Sequence, residues 1–173
     1  MAQDEFEIVL NEYAAAVVER AKSNLRIKRK VRGKTVNRVA SGNLLKSLTY
    51  KARVRYNKPT IDFTVDNDAT GQYADVIEFG RRPGAKMPPV KAIEDWIRIK
   101  PLKLRNKQGQ FIKSTESAIK SAAFAIAKSI GENGIQGINY YTEAIEDTWP
   151  EYADRLIEGY VKGVENRLLL NKR

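Results

Sequence analysis

Asp62, Asp66, Asp68 and Asp75 are the residues whose type and spacing come closest to chemistry. In an alternating strand Asp62 and Asp66 fall on one face, and grouped carboxylates are the hard oxygen ligands that magnesium prefers. The corresponding enzyme would be a metal-dependent nuclease. The Glu-x-Lys companion that such a site needs does not follow them. With no histidine and no cysteine in 173 residues, imidazole catalysis, thiolate nucleophiles, disulfides and zinc centres of the usual ligand types are excluded. Carboxylate or lysine chemistry is left, without a recognisable motif. The expectation is a protein that works without catalysis, cofactor or metal.

Charge is the stronger signal. The net charge is +10, and it is unevenly spread. Residues 20–58 hold fourteen Lys or Arg and no acid, and an acid-free run over 97–115 adds six more. Acids collect at the ends: Asp4, Glu5, Glu7 and Glu12 at the start, and Glu143, Glu146, Asp147, Glu151, Asp154 and Glu158 near the finish. Two basic loops stand out, one with Lys28, Arg29, Lys30, Arg32 and Lys34, the other with Lys103, Arg105 and Lys107. Such runs track phosphates, form a solvated face, or meet an acidic neighbour. Opposite poles on one chain also suit self-association, the acidic face of one copy meeting the basic face of the next. The basic residues lack interleaved aromatics for base stacking, and no DNA-reading motif is present.

The elements that must position these groups follow from periodicity. Phe6, Leu10, Tyr13, Val17, Ala21 and Leu25 recur at helical spacing, which predicts an amphipathic N-terminal helix over 1–28. Residues 28–40 have no helical period and include Gly33, so a mobile basic loop is expected. Ser41 is the expected cap of a short helical segment, SGNLLKSL. Leu48, Tyr50, Ala52, Val54 and Tyr56 alternate with polar residues, as Ile61, Phe63 and Val65 do after a turn at 57–59. The two runs predict an antiparallel hairpin with Lys and Arg opposite Asp. A turn is expected at 67–71, an extended excursion at 99–115 around Gln108 and Gly109, and a helix from Glu116 to Ile130 capped by Ser114 or Thr115. Pro150 is expected to start a final helix over 150–173. The fold class is α+β: a small antiparallel sheet packed against several helices, with long N-terminal and C-terminal helices, in one domain over 1–173. The sheet is expected against the N-terminal helix and the helix at Glu116.

Residues 73–97 are the stretch around which the rest is arranged. An apolar run ends at Gly80, the chain turns through Arg81, Arg82, Pro83 and Gly84, and a helix restarts after Pro88 and Pro89. Proline fixes its own φ and pushes the preceding residue out of the helical region, so this turn should be rigid. A rigid protruding turn loses less entropy on docking. Glu78, Phe79, Arg81, Arg82, Pro83 and Lys86 are therefore the candidate subunit or partner interface. The plainer alternative pairs Glu78 with Arg81 or Arg82 at the surface and puts Tyr73, Phe79 and Trp96 in the core.

The order SGNLLKSL, two strands, YADVIEFGRRPGAKMPPVKAIEDWI, an alanine-rich helix and GIQGINYYTEAIED resembles the head-tail connector and tail-completion proteins of tailed bacteriophages. The resemblance covers roughly residues 39–147, and within the single domain a family-like core spans 41–149. It rests on Gly42 with Leu44 and Leu45, on Tyr73 with Val76 to Gly80, and on residues 134–141. It departs in the long terminal helices. The resemblance implies a structural virion protein of the neck, synthesised in the host cytoplasm. It implies a homo-oligomeric ring, sixfold or twelvefold, between portal or adaptor proteins and tail-tube proteins, with an axial passage and transient contact with genomic DNA. No membrane partner is expected, since no stretch approaches the roughly 20 apolar residues that span a bilayer. The alternatives are a basic nucleic-acid-binding module and the carboxylate nuclease.

Overall fold

The N-terminal helical stripe becomes α1, Glu5–Arg26, with acids in its first turn and Arg26 in its last, the arrangement that suits the helix dipole. The structure, a computed structural model, describes residues 5–31, 34–36, 39–55, 58–66, 68–100, 102–106 and 108–170, without the side chains of 31, 34, 36, 68–72, 167, 168 and 170. The chain continues through β1 (Arg29–Val31), β2 (Lys34–Val36), α2 (Asn43–Ser47), β3 (Leu48–Arg55), β4 (Lys58–Val65), α3 (Asp68–Phe79), β5 (Gly80–Arg81), α4 (Val90–Ile99), α5 (Glu116–Asn133), β6 (Ile135–Gln136) and α6 (Tyr140–Leu170). The fold is α+β, with long helices at both ends.

α1 lies antiparallel along α6. Phe6 meets Tyr160 edge-on at 5.5 Å, and Tyr13 meets Trp149 and Tyr152 at 5.8 and 5.6 Å. Gly159 lets the backbone of Phe6 come close, since a Cβ there would sit 3.1 Å from the Phe6 Cα. Arg20 to Asp147, Arg155 to Glu12 and Lys162 to Glu5 pair across the two helices at 2.7, 2.6 and 3.2 Å. These exposed pairs contribute about 1 kcal/mol or less each, but they give the acids at the start of the chain partners on α6. The acidic pole expected there is thus partly neutralised within the chain.

β3 and β4 pair antiparallel from Leu48 opposite Val65 to Arg55 opposite Lys58. The expected opposition of bases and acids is present: Lys51 faces Asp62, and Arg53 hydrogen-bonds to Asp62. Of the turn expected at 57–59, Lys58 and Pro59 belong to β4, and Asn57 lies outside the described residues. Proline fits there because a two-stranded sheet has only edge strands. The apolar face of the hairpin packs on the core of α1, α3 and α6, built on Leu25, Leu48, Ala74, Tyr140 and Leu156. The sequence places it on α5 as well, and this is corrected: the hairpin belongs to the first core and α5 to the second. α5 instead packs on α4, where Ile97, Leu104, Ile119 and Ala123 form a second core with Val90, Ile93 and Trp96 against it.

Four local expectations are corrected. The segment after α1 is an antiparallel β1–β2 hairpin over its described residues, tied down by Arg29, whose Nη1 donates to Glu143 Oε1 at 2.8 Å. The short helix α2 has Gly42 at its N-cap with φ 80°, and Ser41 Oγ accepts the N–H of Asn43 at 3.2 Å. Residues 68–71 are the first turn of α3, although Gly71 costs about 1 kcal/mol in a helix. Ala74 and Ile77 of this helix pack into the first core, which offsets that cost. Pro150 lies inside α6. A proline there removes the bond to the carbonyl of Glu146, and both residues are exposed, so water can satisfy that carbonyl. The expected helix at Glu116 forms with Thr115 as cap, its Oγ1 accepting the Ala118 N–H at 3.2 Å, and runs through Gly131 to Asn133.

Candidate interaction site

The site is the turn over residues 80–89, with Phe79 at its edge. Its shape is set from beneath. β5 pairs with β6, Gly80 opposite Gln136 and Arg81 opposite Ile135. Gly80 has φ 80°, a left-handed conformation that L side chains avoid, and a Cβ there would lie 2.5 Å from the Gly137 nitrogen. At Gly134 and Gly137 a Cβ would come within 2.2 and 2.4 Å of the carbonyl oxygens of Arg81 and Glu78. The glycines of GIQGI therefore let two backbone segments cross in contact. Farther along, the N–H of Gly84 donates to the Gly131 carbonyl at 2.8 Å, which ties the tip of the turn to the end of α5.

Arg81 is half-buried and donates through Nη2 to the carbonyl of Lys86. It braces the turn across its own width. Arg82, Pro83, Lys86 and Met87 are exposed, and Phe79 is 73% exposed. Trp96 packs in the second core as expected, whereas Phe79 does not enter a core.

Glu78 is the main correction. It was expected at the surface beside Arg81 and Arg82, yet it is 4% exposed. Its carboxylate accepts the N–H of Tyr141 at 2.8 Å, the N–H of Thr142 at 2.9 Å and the Thr142 hydroxyl at 2.7 Å. The first N–H groups of a helix have no partner within it, and a carboxylate placed there also meets the positive end of the helix dipole. Glu78 thus caps α6 from another element and supports the turn from inside. The effect reaches the adjacent tyrosines. Burial pushes the phenol groups of Tyr140 and Tyr141 well above the ordinary tyrosine range, and the Glu78 carboxylate adds to it in both.

The basic loops separate. Lys28 and Lys30 are exposed, whereas Arg29 is half-buried against Glu143. Arg32 and Lys107, and the side chain of Lys34, lie outside the described residues. Lys103 and Arg105 are exposed on the excursion between α4 and α5, where Arg105 and Phe111 form a bridge. Their cations lie 5.8 and 3.9 Å from the centre of the Phe111 ring. Phe111 belongs to neither an alternating nor a helical period, so periodicity does not single it out. Its position two residues after Gly109, among lysines, is the available signal.

The four aspartates do not come together as a metal site: among the described residues no three His, Cys, Asp or Glu side chains are grouped to hold an ion. Asp62 is engaged by Arg53, Asp75 is exposed on α3, and the Asp68 side chain lies outside the described residues. No helix among the described residues is long and apolar enough to cross a membrane. Comparison with protein-family models, curated proteins and solved structures finds no match for this chain.

Proposed function

We propose that this protein is a structural component of a tailed-phage neck, forming a ring that joins the portal side of the head to the tail and leaves an axial passage for DNA. The observation that carries this reading is the exposed turn with Phe79 at its edge and Arg82, Pro83 and Lys86 on its surface, held rigid by Gly80, Gly84 and Arg81. A surface that is already ordered loses little entropy on docking, and exposed aromatic residues and arginines are enriched at interfaces. The sequence resemblance supplies the context: copies of the chain as ring neighbours, sixfold or twelvefold, with portal or adaptor and tail-tube proteins above and below.

The test is sedimentation of the purified chain, alone and with tail-tube protein. A discrete ring is expected. Phe79→Ala with Arg82→Ala should leave a folded monomer and remove the ring, because both side chains are exposed and contribute little to the fold. A parent chain that stays monomeric in both conditions overturns the reading.

A nucleic-acid-binding module is the second reading, supported by the exposed cations of Lys103 and Arg105. Retention of DNA that falls steeply with salt, with no ring formed, would favour it.

A further inference from the structure

The outer face of α6 and the basic excursion between α4 and α5 are complementary in charge, and among the described residues neither meets a side chain of opposite charge. On α6, Asp154 and Glu158 are one helical turn apart on one face, both exposed, and among the described residues neither side chain has a hydrogen bond or ion pair. Beside them Ile157 and Val161 are 60% and 47% exposed. Single exposed apolar residues need no explanation, but an aliphatic pair one turn apart with two unpaired acids along one edge has the composition of an interface. On the excursion, Lys103 and Arg105 have no acidic partner among the described residues, and Phe111 and Ile112 are 60% and 40% exposed. Acid with aliphatic on one surface answers base with aromatic on the other.

We infer that the excursion of one copy docks on the outer face of α6 in the next copy, with Phe111 against Ile157 and Lys103 and Arg105 against Asp154 and Glu158. Because the two surfaces differ, the contact is heterologous, and heterologous contacts generate rings or filaments instead of closed pairs. This rests on the proposed ring and deepens it by naming a second pair of surfaces that join its subunits alongside the turn over residues 80–89. A protein partner is favoured over nucleic acid because Arg105 lies 3.9 Å over the Phe111 ring, covering a face that a stacked base would need. The required acidic surface is also on the same chain.

The experiment uses two charge-reversed full chains, Lys103→Glu with Arg105→Glu, and Asp154→Lys with Glu158→Lys. All four side chains are exposed, so circular dichroism should match the parent. Each variant alone should lose the assembled species at concentrations where the parent is assembled. Mixed one to one they should recover it, since each reversed surface then meets a complementary one and each unreversed pair is also restored. Recovery on mixing cannot come from a misfolded variant. If the parent forms rings and both variants form them equally well alone, the docking inference is overturned and the ring stands. If the arm variant keeps its rings but loses retention of single-stranded DNA, the excursion is a nucleic-acid surface and the inference is overturned. A parent that never assembles overturns the ring itself, and the inference with it.

Discussion

Glu78 closes the first turn of α6 through Thr142: its Oε1 accepts the Thr142 N–H at 2.9 Å and the Thr142 hydroxyl at 2.7 Å. The residue one position farther along, Phe79, is 73% exposed. Two neighbours thus face opposite ways, one holding the fold and one available to a partner, which separates their predicted phenotypes.

Glu78→Ala removes an acceptor that three buried or half-buried donors share. Leaving such donors unpaired costs roughly 1–3 kcal/mol, to which the loss of a helix cap belongs. For a chain of this size the melting temperature should fall by on the order of 5 °C. Phe79→Ala should change it by little. Equal shifts in a calorimetric comparison would mean that the carboxylate is not a structural cap.

Gly137→Ala places a Cβ 2.4 Å from the Glu78 carbonyl oxygen and 2.6 Å from the Phe79 carbonyl carbon. Both are backbone atoms, so β5 must move, and overpacking of this kind costs about 1–3 kcal/mol. Gly109 is the control: nothing lies within 4 Å of its Cβ position, and its φ of 81° makes alanine unfavourable by about 1 kcal/mol. Urea unfolding should show the larger loss at Gly137. The reverse order would show that the β5–β6 crossing is looser than described.

Alkaline stability should report on Tyr140 and Tyr141. Their phenols hold their protons above the ordinary value in the folded chain, chiefly through burial, whereas in the unfolded chain they release them near pH 10. Unfolding then loses protons, so the stabilisation is fully present below about pH 10 and decreases as pH rises from there toward the folded value. Each group adds a slope of about 1.4 kcal/mol per pH unit in that window. Lysine titration is common to the parent and to Tyr140→Phe, so the difference between their urea curves isolates the phenol. The parent should lose stability more steeply above about pH 10; parallel curves would contradict its burial.

Local pattern alone determines much of this protein. The stripe from Phe6 to Leu25, the alternation on either side of Asn57 and the Thr115 cap each state an element and its apolar face, because period and capping act within a few residues. Gly80 and the prolines mark a rigid turn for the same reason. What covers each apolar face is a long-range matter, and only the tertiary structure decided it: the hairpin went to α1 and not to α5. Packing of Ala74 and Ile77 into the first core outweighed the turn residues before them, and the continuous packing of α6 on α1 carried a helix through Pro150. In sequence Glu78 has two arginines as neighbours and so reads as a surface charge, but its partners Tyr141 and Thr142 are 63 and 64 residues away. A carboxylate is buried where unpaired donors converge on it, and that convergence exists only once the chain has brought the end of α3 to the start of α6.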